Sequence, residues 1–198
     1  MLSQIENLST EKVTLRLLQL EDLDSLYEVS SDHSVFEFFP HPIPCNSKPE
    51  LAKWITSRLE LFNKEEWLPF VIIQNETGKV IGTTSFLNIS IPNSRIEIGA
   101  TWLGIDYQGK GYNMPSKYLL MSYAFEVLKV ERLELKTDAL NIKSRKAIQK
   151  IGAKEEGVLR SHTLMQKNRR RDTVYYSILS NEWEEIKNTI FNNITYEI

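Results

Sequence analysis

The sequence predicts an α+β fold built on one mixed sheet, and three observations carry that expectation. Runs with strand alternation are interspersed with stretches of helical spacing along the 198-residue chain. Three strand-like runs follow one another over about 68–105, joined by turns too short to hold a helix, which makes them antiparallel neighbours. The order then becomes strand, helix, strand, helix, which implies a local parallel pair. No repeat, low-complexity tract or linker divides the chain, so 1–198 is expected to be one domain with a core of about 13–187.

Each element has its own signal. Over Val13 to Leu17, apolar residues alternate with Thr14 and Arg16, and Leu20, Leu23, Leu26 and Tyr27 then repeat with helical spacing. Four prolines between 40 and 49 mark a loop, and Ser47 with Glu50 forms a capping box for a helix burying Leu51, Trp54, Ile55 and Phe62. Leu68 to Gln74 and Lys79 to Ile89 flank the hairpin turn Asn75-Glu76-Thr77-Gly78. A second turn at Pro92-Asn93-Ser94 leads to a strand of about Arg95 to Ile105. Gly111 to Leu128 is apolar on most sides, as a helix deep against a sheet must be, with Pro115 in its first turn. Arg132 to Thr137 alternates again, and Ile142 to Ile151 is a short helix stopped at Gly152. Strands near Gly157 to Met165 and Asp172 to Leu179 flank a polar tip, and a last helix runs from Ser180 through Lys187. Residues 188–198 carry no clear pattern.

Composition narrows the function classes. Twenty-four Lys and Arg against 26 Asp and Glu leave a formal charge of -2, without the cationic excess of a nucleic-acid binder. No apolar run reaches the roughly 18 residues of a membrane span, and Met1 to Thr10 lacks the marks of a signal peptide. One cysteine, Cys45, cannot close an internal disulfide, so a reducing cytoplasm is the expected location. The prolines beside His41 and Cys45 suggest a surface loop, and His33, His41 and His162 lack metal-ligand spacing, so no metal is expected.

Half of the eight glycines (Gly99, Gly104, Gly109, Gly111) fall within thirteen residues, at a strand end and the start of a long helix. Unpaired helix N-terminal amides and the helix dipole favour a phosphate there. The run Tyr107-Gln108-Gly109-Lys110-Gly111-Tyr112-Asn113 is no Walker loop, because Tyr and Asn follow the last glycine where Lys and Ser or Thr are required. Its place after antiparallel strands, past the middle of the chain, does not fit a dinucleotide fingerprint.

Gln108-x-x-Gly111-x-Asn113, followed by Asn141-x-x-Ser144 and Lys150-Ile151-Gly152-Ala153, resembles the GCN5-related N-acetyltransferase (GNAT) family. The likeness is strongest to the branch of ribosomal-protein alanine and serine N-acetyltransferases. Two positions depart from the pattern: Asn113 stands where the family usually has Gly or Ala, and Pro115 where this branch often has an acidic residue.

The resemblance implies a central, mostly antiparallel mixed sheet with helices on both faces and a splayed strand pair that forms a cleft for acetyl-CoA. Backbone near Leu103 and Ile105 would pair with the pantetheine arm, and the Gln108–Asn113 loop (Gln108, Gly109, Lys110, Gly111, Tyr112, Asn113) would hold the pyrophosphate. Asn141 would bond the pantetheine, Ser144 would face the thioester sulfur, and Lys146 or Lys150 would meet the adenosine phosphates. Carbonyl polarisation would come from a backbone N–H near Thr101 to Leu103.

The chemistry requires a base, because an amine is mostly ammonium at neutral pH. Glu97 is the candidate: strand alternation sets it with Gly99, Thr101 and Leu103 and opposite Ile96, Ile98, Ala100 and Trp102, with a family-typical bulge shifting that parity downstream. Ser144 either donates to the departing sulfur or caps its helix. His162 is either a wall of the amine pocket or a plain strand residue, and Lys167-Asn168-Arg169-Arg170-Arg171 is read as a solvated hairpin tip. The expected activity is direct acetyl transfer to a primary amine, either a protein or peptide N-terminus or a small molecule. A CoA-binding sensor without turnover is the alternative. Monomer and homodimer both fit.

Overall fold

A computed structural model describes residues 5–41, 43–194 and, as backbone, 196–197. Among the described residues nine strands form one sheet: β1 (Leu8–Thr10), β2 (Val13–Leu17), β3 (Trp67–Gln74), β4 (Lys79–Ser90), β5 (Arg95–Leu103), β6 (Arg132–Asp138), β7 (Lys154–Leu164), β8 (Arg170–Leu179) and β9 (Tyr196–Glu197). Their spatial order is β7-β8-β6-β5-β4-β3-β2-β1-β9. Every described pairing is antiparallel except β5 with β6. The three consecutive antiparallel strands and the parallel pair are therefore where the sequence placed them. Two short strands, β1 and β9, carried no readable signal: three and two residues are too few to show a period.

Helices cover both faces. α1 (Leu23–Val29) and α2 (Lys48–Asn63) lie on one, and α3 (Asn113–Ser122), α4 (Ile142–Lys150) and α5 (Ser180–Ile190) supply the other. Ser47 caps α2 by accepting the Glu50 amide at 3.4 Å, and the helix buries Leu51 and Ile55, while Trp54 and Phe62 are only partly covered. α3 starts two residues later than its glycines suggest and widens into a π-turn over 123–127, where the Leu128 amide reaches the Tyr123 carbonyl at 2.9 Å.

The larger core lies between the sheet and α3 and α5. Phe70 and Phe86 meet edge-on at 6.0 Å, and Phe125 stacks on Trp183 at 5.5 Å. Each such ring, once buried, contributes roughly 1.5–3 kcal/mol. A second cluster under α1 and α2 holds Leu26, Phe36, Leu51, Ile55 and Trp102. Cys45 belongs to it, so the proline-rich loop turns its thiol inward rather than leaving it at the surface, and burial pushes the thiol pKa up.

Two irregularities in β5 shape the centre of the sheet. Between the pairs Thr83–Trp102 and Ser85–Gly99, three steps on β5 match two on β4, and Ala100 takes up the extra residue at φ 47°. Side-chain parity flips there. Thr101 and Leu103 consequently face α3 together with Ile96 and Ile98, not with Glu97, while Trp102 turns to the α1–α2 side. β5 also ends at Leu103, so Ile105 sits in a 3-10 turn with its carbonyl already accepting the Gln108 amide at 3.3 Å.

Candidate active site

The parallel pair opens almost as soon as it forms. β5 and β6 align only at Arg95–Arg132, Ile96–Leu133 and Glu97–Glu134, although β5 continues to Leu103 and β6 to Asp138. Beyond Glu97 the two strands diverge and leave a row of β5 backbone groups that β6 does not pair. Glu97 thus stands at the apex of a V-shaped cleft.

The residue is 3% exposed. One oxygen, Oε2, accepts from Asn88 Nδ2 at 2.7 Å and from Lys136 Nζ at 2.9 Å. The other, Oε1, has no hydrogen-bond donor among the described residues, and it lies 3.2 Å from where a Cβ of Gly99 would be. Gly99 therefore lets the carboxylate lie along the strand, as a side chain there would press on Oε1 and Leu87. A cavity of about 360 Å³ beside it is lined by Asn88, Arg95, Glu97, Glu134, Lys136 and Tyr175.

At the open end of the V, two helix N-termini face one another. Gly109 and Gly111 take φ +76° and +87°, backbone that a β-carbon disfavours, and this turn carries the chain from β5 into α3. Gly109, Lys110 and Gly111 are exposed, and their amides donate to no other described residue. No side chain caps α3 at Tyr112, whose hydroxyl instead accepts from Gln74 Nε2 at 2.9 Å and anchors the turn. Asn113 is the first residue of the helix.

Across the gap, Asn141 caps α4, its Oδ1 accepting the Ser144 amide at 2.9 Å. The capping role weighed for Ser144 belongs to Asn141, and Ser144 Oγ has no described partner. Lys143 Nζ reaches across to Gln108 Oε1, while Gln108 Nε2 donates to the Leu103 carbonyl at 3.0 Å. Gln108 is therefore a strut between β5 and α4, and its side chain occupies the Leu103 carbonyl expected for an added strand. Lys146 is exposed on α4.

The hairpin tip departs from the solvated turn expected. Arg169 turns back to pair with Asp138, and Arg171 is 7% exposed with its Nε donating to Thr173 Oγ1 at 3.0 Å; only Lys167, Asn168 and Arg170 remain in solvent. Gln166 Nε2 donates to the carbonyls of Phe36 at 3.3 Å and Phe39 at 3.0 Å, joining the tip to the loop before α2. His162 is exposed, bonds Thr173 Oγ1 at 3.1 Å and meets the Tyr175 ring edge-on. Among the described residues no three His, Cys, Asp or Glu side chains gather as a metal site, and no helix is long and apolar enough to cross a membrane.

Sequence reasoning missed Asn88, Lys136 and Lys143. Lys143 had a faint signal, a basic residue in the second helical position of the α4 motif. Asn88 and Lys136 had none, because their meeting with Glu97 depends on a bulge and a strand register.

A mixed sheet split between parallel strands, with an amide-rich turn at the open end and a buried carboxylate at the apex, defines an acyl-transfer scaffold. Residues 12–154 match the acetyltransferase (GNAT) domain, and the chain belongs to the GNAT family of N-acetyltransferases. It is similar to an uncharacterised N-acetyltransferase, p20, of Bacillus licheniformis, with 33% identity over 90% of this chain and 99% of that one. It is also 30% identical to YdaF of Bacillus subtilis, provisionally named a ribosomal N-acetyltransferase, over 88% of this chain and 94% of that one. Among solved structures, a GCN5-related N-acetyltransferase from Brucella melitensis superposes with a TM-score of 0.87 at 27% identity, over 94% of this chain and 84% of that one.

Proposed function

We propose that the protein transfers the acetyl group of acetyl-CoA to a primary amine, with a protein or peptide N-terminus as the favoured acceptor. The observation that carries this reading is the parting of β5 and β6 at Glu97, which sets a carboxylate with one oxygen lacking a donor among the described residues at the apex of a cleft whose β5 edge is unpaired by β6. The provisional naming of YdaF as a ribosomal N-acetyltransferase supports a protein acceptor.

In this reading acetyl-CoA supplies a thioester carbonyl and a thiolate leaving group. The amides of Gly109 to Asn113 hold its diphosphate at the positive end of α3, and Lys110 and Lys146 add cationic charge at the mouth. The β5 edge that β6 leaves unpaired, short of the Leu103 carbonyl held by Gln108, takes the pantetheine arm, with the free Nδ2 of Asn141 as a second contact. Ile105 serves only by shaping the turn.

Glu97 Oε1 removes a proton from the acceptor ammonium, directly or through one water, and the freed nitrogen forms the C–N bond as the C–S bond breaks. Ser144 Oγ stands ready to donate to the departing sulfur. A thiol with a pKa near 8.5 leaves without a strong acid, so its loss should cost less than loss of the base. Lys136 and Asn88 keep Oε2 occupied and so present Oε1 to the substrate.

A thiol-release assay with acetyl-CoA and a panel of amines and N-terminal peptides tests the reading. Amine-dependent release that falls on the order of 10²–10⁴-fold in Glu97→Gln is the expected result. Release that is unaffected by that substitution contradicts the assignment of the base. Coenzyme binding without turnover toward any amine contradicts the transferase.

A further inference from the structure

Lys117 is an interior lysine in the middle of α3, 6% exposed, in a mostly apolar helix that walls the larger core and buries Ser116 and Ser122 beside it. Nothing in the chemistry above uses it. Long cationic side chains almost never lie fully inside unless something holds them, because removing an ammonium from water is costly. What holds it is a pair of hydroxyls on the two strands that flank the bulge. Its Nζ donates to Thr101 Oγ1 at 2.6 Å and to Thr84 Oγ1 at 3.4 Å, and those two oxygens are themselves 2.8 Å apart.

Thr101 is the residue directly after the bulged Ala100 and directly before Trp102, the first residue to resume pairing with β4. The Thr101 hydroxyl also reaches the Gly99 carbonyl at 3.3 Å, so one side chain spans the bulge from end to end. The bulge lies two to four residues beyond Glu97, where β5 pairs with β4 on one edge and has already parted from β6 on the other. A bulge interrupts the ladder and leaves its extra residue without a strand partner, so side-chain contacts help to hold its direction: Thr83 Oγ1 donates to the Ala100 carbonyl at 3.4 Å and Thr101 Oγ1 to that of Gly99.

We propose that Lys117 is a positioning residue that locks Thr84 and Thr101 together behind the bulge, fixing the direction in which the 99–102 backbone of β5 meets the acyl group. This rests on the transferase reading above, and its test separates the two. The lock is charge-sensitive as well as geometric: burial lowers the Lys117 pKa to about 7, so near neutral pH the amine gives up the charge that makes it the stronger donor. No ionisable neighbour opposes this. Arg16 of β2 points to the other face and pairs with Asp22, Lys79 is exposed at the start of β4, and Arg95 and Glu97 lie on the far face of β5.

The test uses the full-length chain and the variants Lys117→Met, Thr101→Val and Thr101→Ser. Lys117→Met keeps the length and removes the donor, and Thr101→Ser keeps the hydroxyl that Thr101→Val deletes. Lys117→Met and Thr101→Val should lower kcat on the order of 10–100-fold while KM for acetyl-CoA changes less than about threefold, and Thr101→Ser should retain activity. The ratio of wild-type to Lys117→Met kcat should be largest below pH 7 and shrink above it.

Independently of turnover, the amide NMR signals of Gly99 to Trp102 in the coenzyme-free protein should titrate near pH 7, and Lys117→Met should abolish that titration. A Lys117→Met enzyme with wild-type kcat across the pH range overturns the proposal. So does a bulge whose amides show no titration sensitive to Lys117. Should the wild type acetylate no amine, the transferase reading fails and the catalytic half of this proposal with it, while the amide titration still decides the lock.

Discussion

Glu97 and Lys136 form an ion pair at 2.9 Å across the point where two parallel strands separate. Glu97 is the last residue of β5 to align with β6, and Lys136 lies two residues past its partner Glu134, so the pair bridges the first open step of the cleft. Arg132 braces the same corner, reaching Glu134 at 2.7 Å and Glu156 of β7 at 2.5 Å. The apex is thus a charged lattice in which one carboxylate oxygen of Glu97 is tied down by Lys136 and Asn88 while the other has no donor among the described residues.

The pair should behave as a coupled unit. Lys136→Met alone leaves the buried carboxylate with Asn88 as its remaining donor and should destabilise the fold by about 1–3 kcal/mol. That is less than the roughly 3–5 kcal/mol of a fully buried pair, because 27% of the Lys136 side chain is in solvent. Combining it with Glu97→Gln should recover much of the loss. Urea denaturation of the two single variants and the double variant measures the coupling, and strict additivity would contradict the pairing.

The turn before α3 should tolerate no β-branched residue. Valine at Gly111, where φ is +87°, forces the turn to a new backbone and should raise KM for acetyl-CoA on the order of tenfold or more, at a cost in stability of about 1–3 kcal/mol from the backbone alone. Calorimetric titration with CoA checks this against Glu97→Gln, which should bind the coenzyme normally.

Lys117 also sets how stability depends on pH. Its pKa is about 7 in the folded chain against 10.5 as the ordinary value, so the unfolded state binds more protons between those limits. The cost of burying the ammonium is fully present below about pH 7 and fades as pH rises toward 10.5. Lys117→Met should therefore be more stable than the wild type at pH 6 by a few kcal/mol, with the advantage shrinking by pH 9. Denaturation at both values tests the sign.

Much of this was legible in the sequence. Strand alternation, the turns at 75–78 and 92–94 and the Ser47 cap placed the central sheet and α2 to within a few residues. The Gln108–Asn113 turn and the Asn141 motif stand at the cleft mouth because backbone geometry, which glycine and caps encode locally, determines them. The bulge at Ala100 is not local: it appears only when β5 is laid against β4, and with it go the facing of Thr101 and the anchoring of Lys117. Lys136 and Asn88 reach Glu97 through strand register, and Arg169 and Arg171 turn inward because Asp138 waits on the neighbouring β6 and Thr173 two residues along β8. A run of basic residues looks solvated until its partners are known.

A crystal structure with an inert acetyl-CoA analogue tests the central claim most directly. The account predicts the diphosphate within hydrogen-bond distance, roughly 3 Å, of the amides between 109 and 113, with the acyl carbon at the apex beside Glu97. A coenzyme bound elsewhere, or one whose acyl end points away from the parting of β5 and β6, would contradict it.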